Sequence, residues 1–225
     1  MNSPKLSKRL LAAASFAAKG DLVADVGTDH AYLPIYLYLQ GRIRGAVVSD
    51  INEGPIERAK RNIIEFSAEN AIIPILSDGL SKIDEYSPDT VFILGMGGEL
   101  ILNIISNAEW LTKKRPRLVL QPMTHPEILR AFLFENGFEI TDELLVDDGK
   151  IYQIIEARYT EKNTNANALE LRFGKINISR REPSLFDALK RESDILEARV
   201  KGKSIAGLDA GEDGELLEMI RNFQK

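Results

Sequence analysis

The segment Leu22-Val23-Ala24-Asp25-Val26-Gly27-Thr28-Asp29-His30-Ala31-Tyr32-Leu33-Pro34 passes from a short apolar strand, through an acid and a glycine, into a helix. Glycine at this turn lets the backbone bend sharply and come close to a ligand. Open α/β sheets bind the adenosyl part of a cofactor at such strand-to-helix turns. The segment therefore predicts a cofactor site after the first strand of an α/β sheet.

Strand-like and helical patterns alternate along the chain on both sides of this segment. Strands are expected near 22–26, 46–50, 72–76, 90–94 and 117–121. Helices are expected near 5–18, 31–40, 55–69, 97–110 and 125–136. This alternation predicts βαβ units, a mostly parallel sheet and helices on both of its faces.

The last two strands break the pattern. Gly137-Phe138-Glu139-Ile140 begins a strand that continues through Val146, and Asp147-Asp148-Gly149-Lys150 has the composition of a tight turn. Ile151–Ala157 runs straight back with no helix between, which predicts an antiparallel hairpin. Class I methyltransferases end their sheet this way, so we expect that Rossmann-like α/β fold, with seven strands and an antiparallel last strand inserted beside the fifth.

The composition changes after residue 159. A polar, turn-rich segment begins at Thr160, and apolar residues then recur at near-helical spacing over 169–176, 184–200 and 215–223. Pro183 suits the first turn of a helix, and Gly202, Gly207, Gly211 and Gly214 predict a loop. We expect a catalytic domain over 1–159 and a C-terminal α-helical hairpin or short antiparallel coiled coil over 160–225.

Length, composition and charge narrow the function classes. The 225 residues are 44% hydrophobic, which suits one full α/β domain with a smaller appendage. The sequence has no cysteine, so disulfides, thiolate metal sites and cysteine nucleophiles are excluded. The net charge of −5 argues against non-specific DNA binding but leaves room for a local patch that binds structured RNA. Because the apolar run over 10–18 is too short to span a bilayer, we expect no membrane segment and a cytoplasmic protein.

Further candidate ligand residues follow the other strands. Asp50 ends the second strand, where it could accept hydrogen bonds from ribose hydroxyls, and Asp78-Gly79 follows the third, where an adenine amino group is expected. Gly95-Met96-Gly97-Gly98 follows the fourth strand and would face the reactive end of the ligand. The two acids could instead be helix caps or turn residues, and the glycines could merely allow tight backbone paths.

The sign of charge separates two cofactor classes. The nicotinamide-dinucleotide fingerprint needs three glycines, and the turn over 27–32 has only the first of them. Asp29 would repel a pyrophosphate, whereas S-adenosylmethionine has no phosphate and carries cationic sulfonium and amino groups. Asp25 and Asp29 therefore favour S-adenosylmethionine.

Four segments carry a family resemblance: Leu6–Leu10, Val23–Pro34, Gly95–Gly98 and Gln121-Pro122-Met123. Together they resemble the bacterial TrmK family, which are tRNA (adenine-22-N1)-methyltransferases with a class I catalytic domain and a helical, coiled-coil-like C-terminal domain. The resemblance implies S-adenosyl-L-methionine as cofactor and tRNA as substrate. It implies cofactor contacts at Asp25, Gly27, Thr28, Asp29, His30, Asp50, Ile51, Asp78, Gly79 and Gly95.

The segment after the fourth strand also bears on the target atom. Gly95-Met96-Gly97-Gly98 replaces the Asn/Asp-Pro-Pro-aromatic element with which amino-nitrogen methyltransferases accept a proton. A ring nitrogen has a free lone pair and needs no such acceptor. For catalysis we single out Asp29, as a stabiliser of the cationic product or as a cofactor anchor, and His30, which would orient the base or shuttle its proton unless it is only a packing residue. Met96, with Met123 and Tyr32, is a candidate to line the slot for the base, although each could equally be core.

Basic residues suggest where tRNA binds, although such clusters are usually solvated surface. They are Lys5, Lys8, Arg9, Lys113, Lys114, Arg115, Arg117, Arg180, Arg181, Lys190, Arg191, Arg199, Lys201 and Lys203. A methyltransferase for a small molecule or protein would not need them, and a non-enzymatic adenosyl- or RNA-binding module is the third alternative. The two histidines lie in no metal-ligand pattern, so we expect no metal. We expect a monomer or a weak homo-oligomer.

Overall fold

The structure, a computed structural model, describes residues 3–224. Its seven strands form one sheet in the order β3-β2-β1-β4-β5-β7-β6. They are β1 (Asp21–Val26), β2 (Ile43–Asp50), β3 (Ile72–Leu76), β4 (Thr90–Met96), β5 (Arg117–Pro122), β6 (Phe138–Asp147) and β7 (Ile151–Tyr159). The first five strands pair in parallel, whereas β7 runs antiparallel to both β5 and β6. The predicted sheet and its antiparallel last strand beside the fifth are confirmed.

Ten α-helices accompany these strands within the described residues. They are α1 (Lys8–Ser15), α2 (Tyr32–Leu39), α3 (Glu53–Glu65), α4 (Gly98–Ser106), α5 (Trp110–Lys114), α6 (Pro126–Glu135), α7 (Ala168–Phe173), α8 (Lys175–Arg180), α9 (Pro183–Ile205) and α10 (Gly211–Phe223). The single helix expected over 97–110 was wrong, because it ends at Ser106 and a separate short helix begins at Trp110. Among the described helices, none has the length and apolar character needed to cross a membrane.

The sheet is covered on both faces, as the alternating pattern predicted. Successive side chains of a strand point to opposite faces, so Val23 of β1 joins the core under α1, α2 and α3, while Ala24 joins the core under α4, α5 and α6. Both residues are fully buried. The carboxyl ends of the parallel strands remain at one edge of this layered structure, where the loops that follow them meet.

All the regular secondary structure described after Tyr159 is α-helical, and these helices pack against the end of the sheet. Leu185, Leu189 and Ile220 form its own core, and Leu145 of β6 and Ile151 of β7 pack on that core. Pro183 occupies the first turn of α9, as its position predicted. The glycine loop expected over 202–214 was wrong in extent, because α9 continues to Ile205 and α10 begins at Gly211. An exposed helix interior tolerates a glycine such as Gly202 at a cost of about 1 kcal/mol.

A buried ion pair joins these helices to the sheet. Arg130 of α6 and Glu143 of β6 are both fully buried, with 2.7 Å between the guanidinium and the carboxylate. Arg130 also donates to the carbonyl oxygens of Leu171 and Arg172, and the other Glu143 oxygen accepts from the Ile176 amide. The pair therefore satisfies backbone groups of α7 and α8, which fixes the direction in which the C-terminal helices leave the sheet.

Candidate cofactor and methyl-transfer site

The turn after β1 has a left-handed backbone that favours glycine. Gly27 has a φ of +77°, and a Cβ added there would collide with the methyl group of Met96. The amides of Gly27 and Thr28 donate to the Ser49 carbonyl of β2, at 2.8 and 2.9 Å. These hydrogen bonds fix the turn against the end of β2, and Gly27 and Thr28 form part of a cavity wall there.

Asp25 is the buried charge of this turn. Its residue exposure is only 8%, and burial raises the pKa of its carboxyl from 3.8 to about 6, although a hydrogen bond from Thr28 lowers it. The Thr28 hydroxyl oxygen in turn accepts from the Ala31 amide at 3.0 Å. Such a carboxylate is poorly solvated and would gain from a cationic ligand group.

Ala31 allows the turn to enter α2 without the glycine that dinucleotide sites use. It has a left-handed backbone, with a φ of +56°, at the residue before the helix, and its side chain is buried. A cavity of about 280 Å³ lies against the turn, with Asp25, Thr28 and His30 in its wall. Arg9 of α1 and Leu94 of β4 close its other side.

Asp29 and His30 are held by residues that the sequence did not indicate. Arg58 of α3 donates through Nε and Nη2 to one Asp29 oxygen, at 2.9 Å from Nε, and His30 Nε2 lies 3.1 Å from the other. Asn62 donates to the His30 carbonyl at 2.9 Å, and the imidazole stacks on the Tyr32 ring with 5.0 Å between centroids. Asp29 is therefore an exposed carboxylate whose charge is already offset by an arginine.

The acids after β2 and β3 lie further along the same edge. One oxygen of Asp50 accepts from the Asn52 amide at 2.8 Å, so Asp50 does close a turn, as the simpler interpretation proposed. Ile51 beside it is 60% exposed. Asp78 and Gly79 line a second cavity of about 300 Å³, opposite Leu100 of α4.

The loop after β4 crosses the loop after β5 at close range. The Gly98 amide donates to the Thr124 carbonyl and the Met123 amide to the Met96 carbonyl, both at 2.8 Å. A Cβ at Gly98 would lie only 2.8 Å from the Thr124 carbonyl oxygen. Gly95 has a φ of +79°, so both glycines are required by the backbone. Met96 thereby lies against Gly27 of the first turn, and the exposed Met123 lies against Arg9.

The predicted basic clusters divide between opposite ends of the sheet. Lys113 and Lys114 lie in α5, which leads into the start of β5, away from the strand ends that carry the site. Arg191 and Arg199 instead line a cleft of about 540 Å³ whose wall includes Met123 and His125, together with Lys150, which was not among the predicted basic residues. Arg191 and Arg199 are only loosely paired, at 3.8 Å from Asp147 and 3.7 Å from Asp213. Between residues 3 and 224, no cluster of three or more acidic or histidine side chains is arranged to hold a metal ion.

Comparison with known proteins gives a consistent result. The methyltransferase-domain family matches residues 6–155. The tRNA (adenine(22)-N(1))-methyltransferase of Bacillus subtilis (strain 168) is 34% identical over 177 residues, which are 78% of this chain and 74% of that protein. The crystal structure of the B. subtilis m1A22 tRNA methyltransferase TrmK superposes with a TM-score of 0.83 at 29% identity, covering 97% of this chain and 95% of that one. Streptococcus pneumoniae Sp1610 in complex with S-adenosyl-L-methionine superposes with a TM-score of 0.88 at 29% identity, over 98% of this chain and 100% of that one. A chain that shares this domain and this likeness over most of its length belongs to the TrmK family of tRNA (adenine(22)-N(1))-methyltransferases.

Proposed function

We propose that this chain transfers a methyl group from S-adenosylmethionine to N1 of adenine 22 in tRNA, in the cytoplasm. The observation that carries the proposal is the buried Asp25 at the glycine turn of a TrmK-family chain. A buried carboxylate suits a cofactor whose reactive end is cationic, and it would repel the pyrophosphate of a dinucleotide.

The residues at the strand ends fit the parts of S-adenosylmethionine in order. Asp78 and Gly79 would hold the adenine, with the exposed Ile51 and Leu100 as apolar cover for its faces. The Asp50 oxygen that does not close the turn would accept from a ribose hydroxyl. Asp25 would face the methionyl ammonium across the open backbone of Gly27, and Thr28, which holds Asp25, completes that wall.

Bound S-adenosylmethionine would supply an electrophilic methyl group, with S-adenosylhomocysteine as the leaving group once the bond from sulfur to the methyl carbon breaks. Adenine N1 has a lone pair and no proton, so the chain would not need to remove a proton from it. The task of the chain is therefore to hold N1 and the methyl carbon in line, and positioning of this kind can lower a barrier by about 7–11 kcal/mol. The alkylated ring is cationic, so a carboxylate at the mouth would stabilise the developing charge. Asp29 is our candidate for that role, with His30 held between Asp29 and Tyr32 to orient the base.

The target base must leave its stack, because N1 lies on the Watson–Crick edge. Tyr32 lines the cofactor cavity, Met96 lies against Gly27 of its wall and Met123 lies against Arg9 of the same wall, so these three side chains would contact the base. We propose that the tRNA backbone follows the cleft that Lys150, Arg191 and Arg199 line, because Met123 in the wall of this cleft contacts Arg9 of the cofactor cavity.

This assignment suggests separate roles for a catalytic domain over 1–159 and a tRNA-binding domain over 160–225. Removing 160–225 would abolish tRNA methylation, but it would also strip the backbone partners from the buried Arg130 and Glu143. Charge reversal in the cleft is the cleaner test. The double variant Lys150→Glu/Arg191→Glu should raise the KM for tRNA by about tenfold or more, whereas Lys113→Glu, at the other end of the sheet, should not.

The function itself is tested with labelled S-adenosylmethionine and two tRNA transcripts that differ only in A22 or G22, followed by nucleoside analysis. Label in 1-methyladenosine from the A22 transcript alone is the expected result. Absence of label in both transcripts, with the cofactor still bound in calorimetry, would contradict the proposal. It would favour a small-molecule or protein substrate instead.

A further inference from the structure

Arg9 of α1 lies between the cofactor cavity and the basic cleft, the cleft that Lys150, Arg191 and Arg199 line. Its side chain lines the cavity of Asp25 and Gly27, and its guanidinium lies 5.2 Å from the centre of the Tyr152 ring, which faces the cleft. Nη1 donates to Gln121 Oε1, a fully buried side chain, and lies 3.8 Å from Met123 Sδ. The sequence grouped Arg9 with surface lysines, but the structure turns it inward.

The surrounding backbone leaves room for this side chain. The Arg9 amide donates to Asp148 in the turn between β6 and β7, at 3.3 Å, which ties the start of α1 to the sheet. Across the cavity, a Cβ at Gly95 would lie 3.3 Å from Arg9 Nη1. Gly95 therefore accommodates the guanidinium as well as the left-handed turn of the backbone.

The charge of Arg9 has no counterpart in the protein. Among residues 3–224 it forms no ion pair, and its hydrogen bonds through the guanidinium use Nη1 alone, so the donors on Nε and Nη2 have no protein acceptor. The nearby Asp29 is taken by Arg58, and Asp25 is hydrogen-bonded by Thr28. A half-buried guanidinium with free donors is a site for an anion, and carboxylates match its planar geometry.

We propose that Arg9 binds the α-carboxylate of the methionyl group of S-adenosylmethionine. The proposal rests on the cofactor assignment made above. The amino-acid end of that cofactor carries an ammonium and a carboxylate on one carbon, and the cavity presents an unpaired cation and a buried carboxylate to match them. Arg9 then acts as a positioning residue, because it fixes the tail from which the sulfonium and its methyl group extend toward the mouth.

The test compares two ligands that differ only in the carboxylate. S-adenosylmethionine and its decarboxylated form are titrated by calorimetry into the wild type, Arg9→Met and the control Lys8→Met, which removes an exposed charge from the same helix. Arg9→Met should bind S-adenosylmethionine about 10- to 100-fold more weakly, the range expected for a lost charge-assisted contact. It should bind the decarboxylated form at least as tightly as the wild type does, because a cation next to a cationic ligand has been removed. Lys8→Met should bind both ligands as the wild type does, and Arg9→Lys should recover part of the loss.

Other patterns would overturn the assignment. Equal weakening of both ligands would mean that Arg9 only supports the cavity wall, and unchanged affinity for S-adenosylmethionine would exclude the contact. A raised KM for tRNA with normal cofactor affinity would make Arg9 a phosphate contact instead. A wild type that binds the cofactor with the expected Arg9 dependence, yet methylates no tRNA, would refute the proposed substrate and leave the role of Arg9 intact.

Discussion

The substitution Asp25→Asn should stabilise the protein while it weakens cofactor binding. Burial raises the pKa of Asp25 to about 6, from 3.8 for a solvated aspartate. Since a tenfold change in a proton-binding constant corresponds to about 1.4 kcal/mol, the ionised carboxylate costs the folded state about 3 kcal/mol. Asparagine keeps the shape of the side chain and an oxygen to accept from Thr28, and it removes the charge.

The pH dependence of stability follows from this raised pKa. Between pH 4 and 6 the folded wild type binds more protons than the unfolded chain, so its stability falls as the pH rises through this window. Above about pH 6 the loss is complete. Asp25→Asn should therefore exceed the wild type by about 2–3 kcal/mol in free energy of unfolding at pH 8, and the two should converge near pH 4.

Urea denaturation at a series of pH values measures this difference, and calorimetry with S-adenosylmethionine measures binding. Cofactor affinity of the wild type should rise with pH up to about 6, as Asp25 ionises, and Asp25→Asn should bind weakly at every pH. The exposed Asp209→Asn is the control, with a change in stability within about 0.5 kcal/mol. If Asp25→Asn were less stable than the wild type at pH 8, or if the difference did not change with pH, the reasoning from burial would be refuted.

Three further substitutions test the glycine turn after β1, the carboxylate of Asp29 and the buried ion pair that joins the C-terminal helices to the sheet. Gly27→Ala should cost about 1 kcal/mol, because its φ is +77°, and should weaken cofactor binding, because the new methyl group displaces the end of the Met96 side chain beside the cavity. Gly149→Ala, with φ +81° and open space around it, should cost about as much in urea denaturation but leave cofactor binding unchanged, and equal loss of binding in both variants would contradict the role of Gly27. Asp29→Asn should bind S-adenosylmethionine normally but transfer its methyl to tRNA more slowly in single-turnover assays, and a wild-type rate would exclude a charge role for Asp29. Arg130→Met should lower the free energy of unfolding by about 3–5 kcal/mol, since it leaves Glu143 buried without a counter-charge. Arg130→Met/Glu143→Leu should recover part of that stability. A loss below about 1 kcal/mol in Arg130→Met would show that water reaches the pair.

Several features of the site were predictable because they depend on residues close together in the chain. Gly27 is required by a turn of a few residues, and the positions of Asp25, Asp50 and Asp78 follow from where their strands end. Apolar periodicity distinguished strand from helix, and Asp147–Lys150 predicted the hairpin that makes the last strand antiparallel. The helix boundaries were less predictable, since α9 passes through Gly202 once its apolar side is packed on α10 and α7.

By itself, the sequence determined the fold class, the edge of the sheet that carries the site and the charge of the expected ligand, because apolar periodicity, glycine turns and strand-end acids are local properties. Only the tertiary structure decided which charges are free. Asp29 and Arg58 are 29 residues apart, and Arg9 and Gln121 are 112 apart, so no local pattern relates them. Folding pairs Asp29 with Arg58, buries Asp25 and leaves Arg9 without a counter-charge, because the pairing of a side chain depends on which distant segments the core brings beside it.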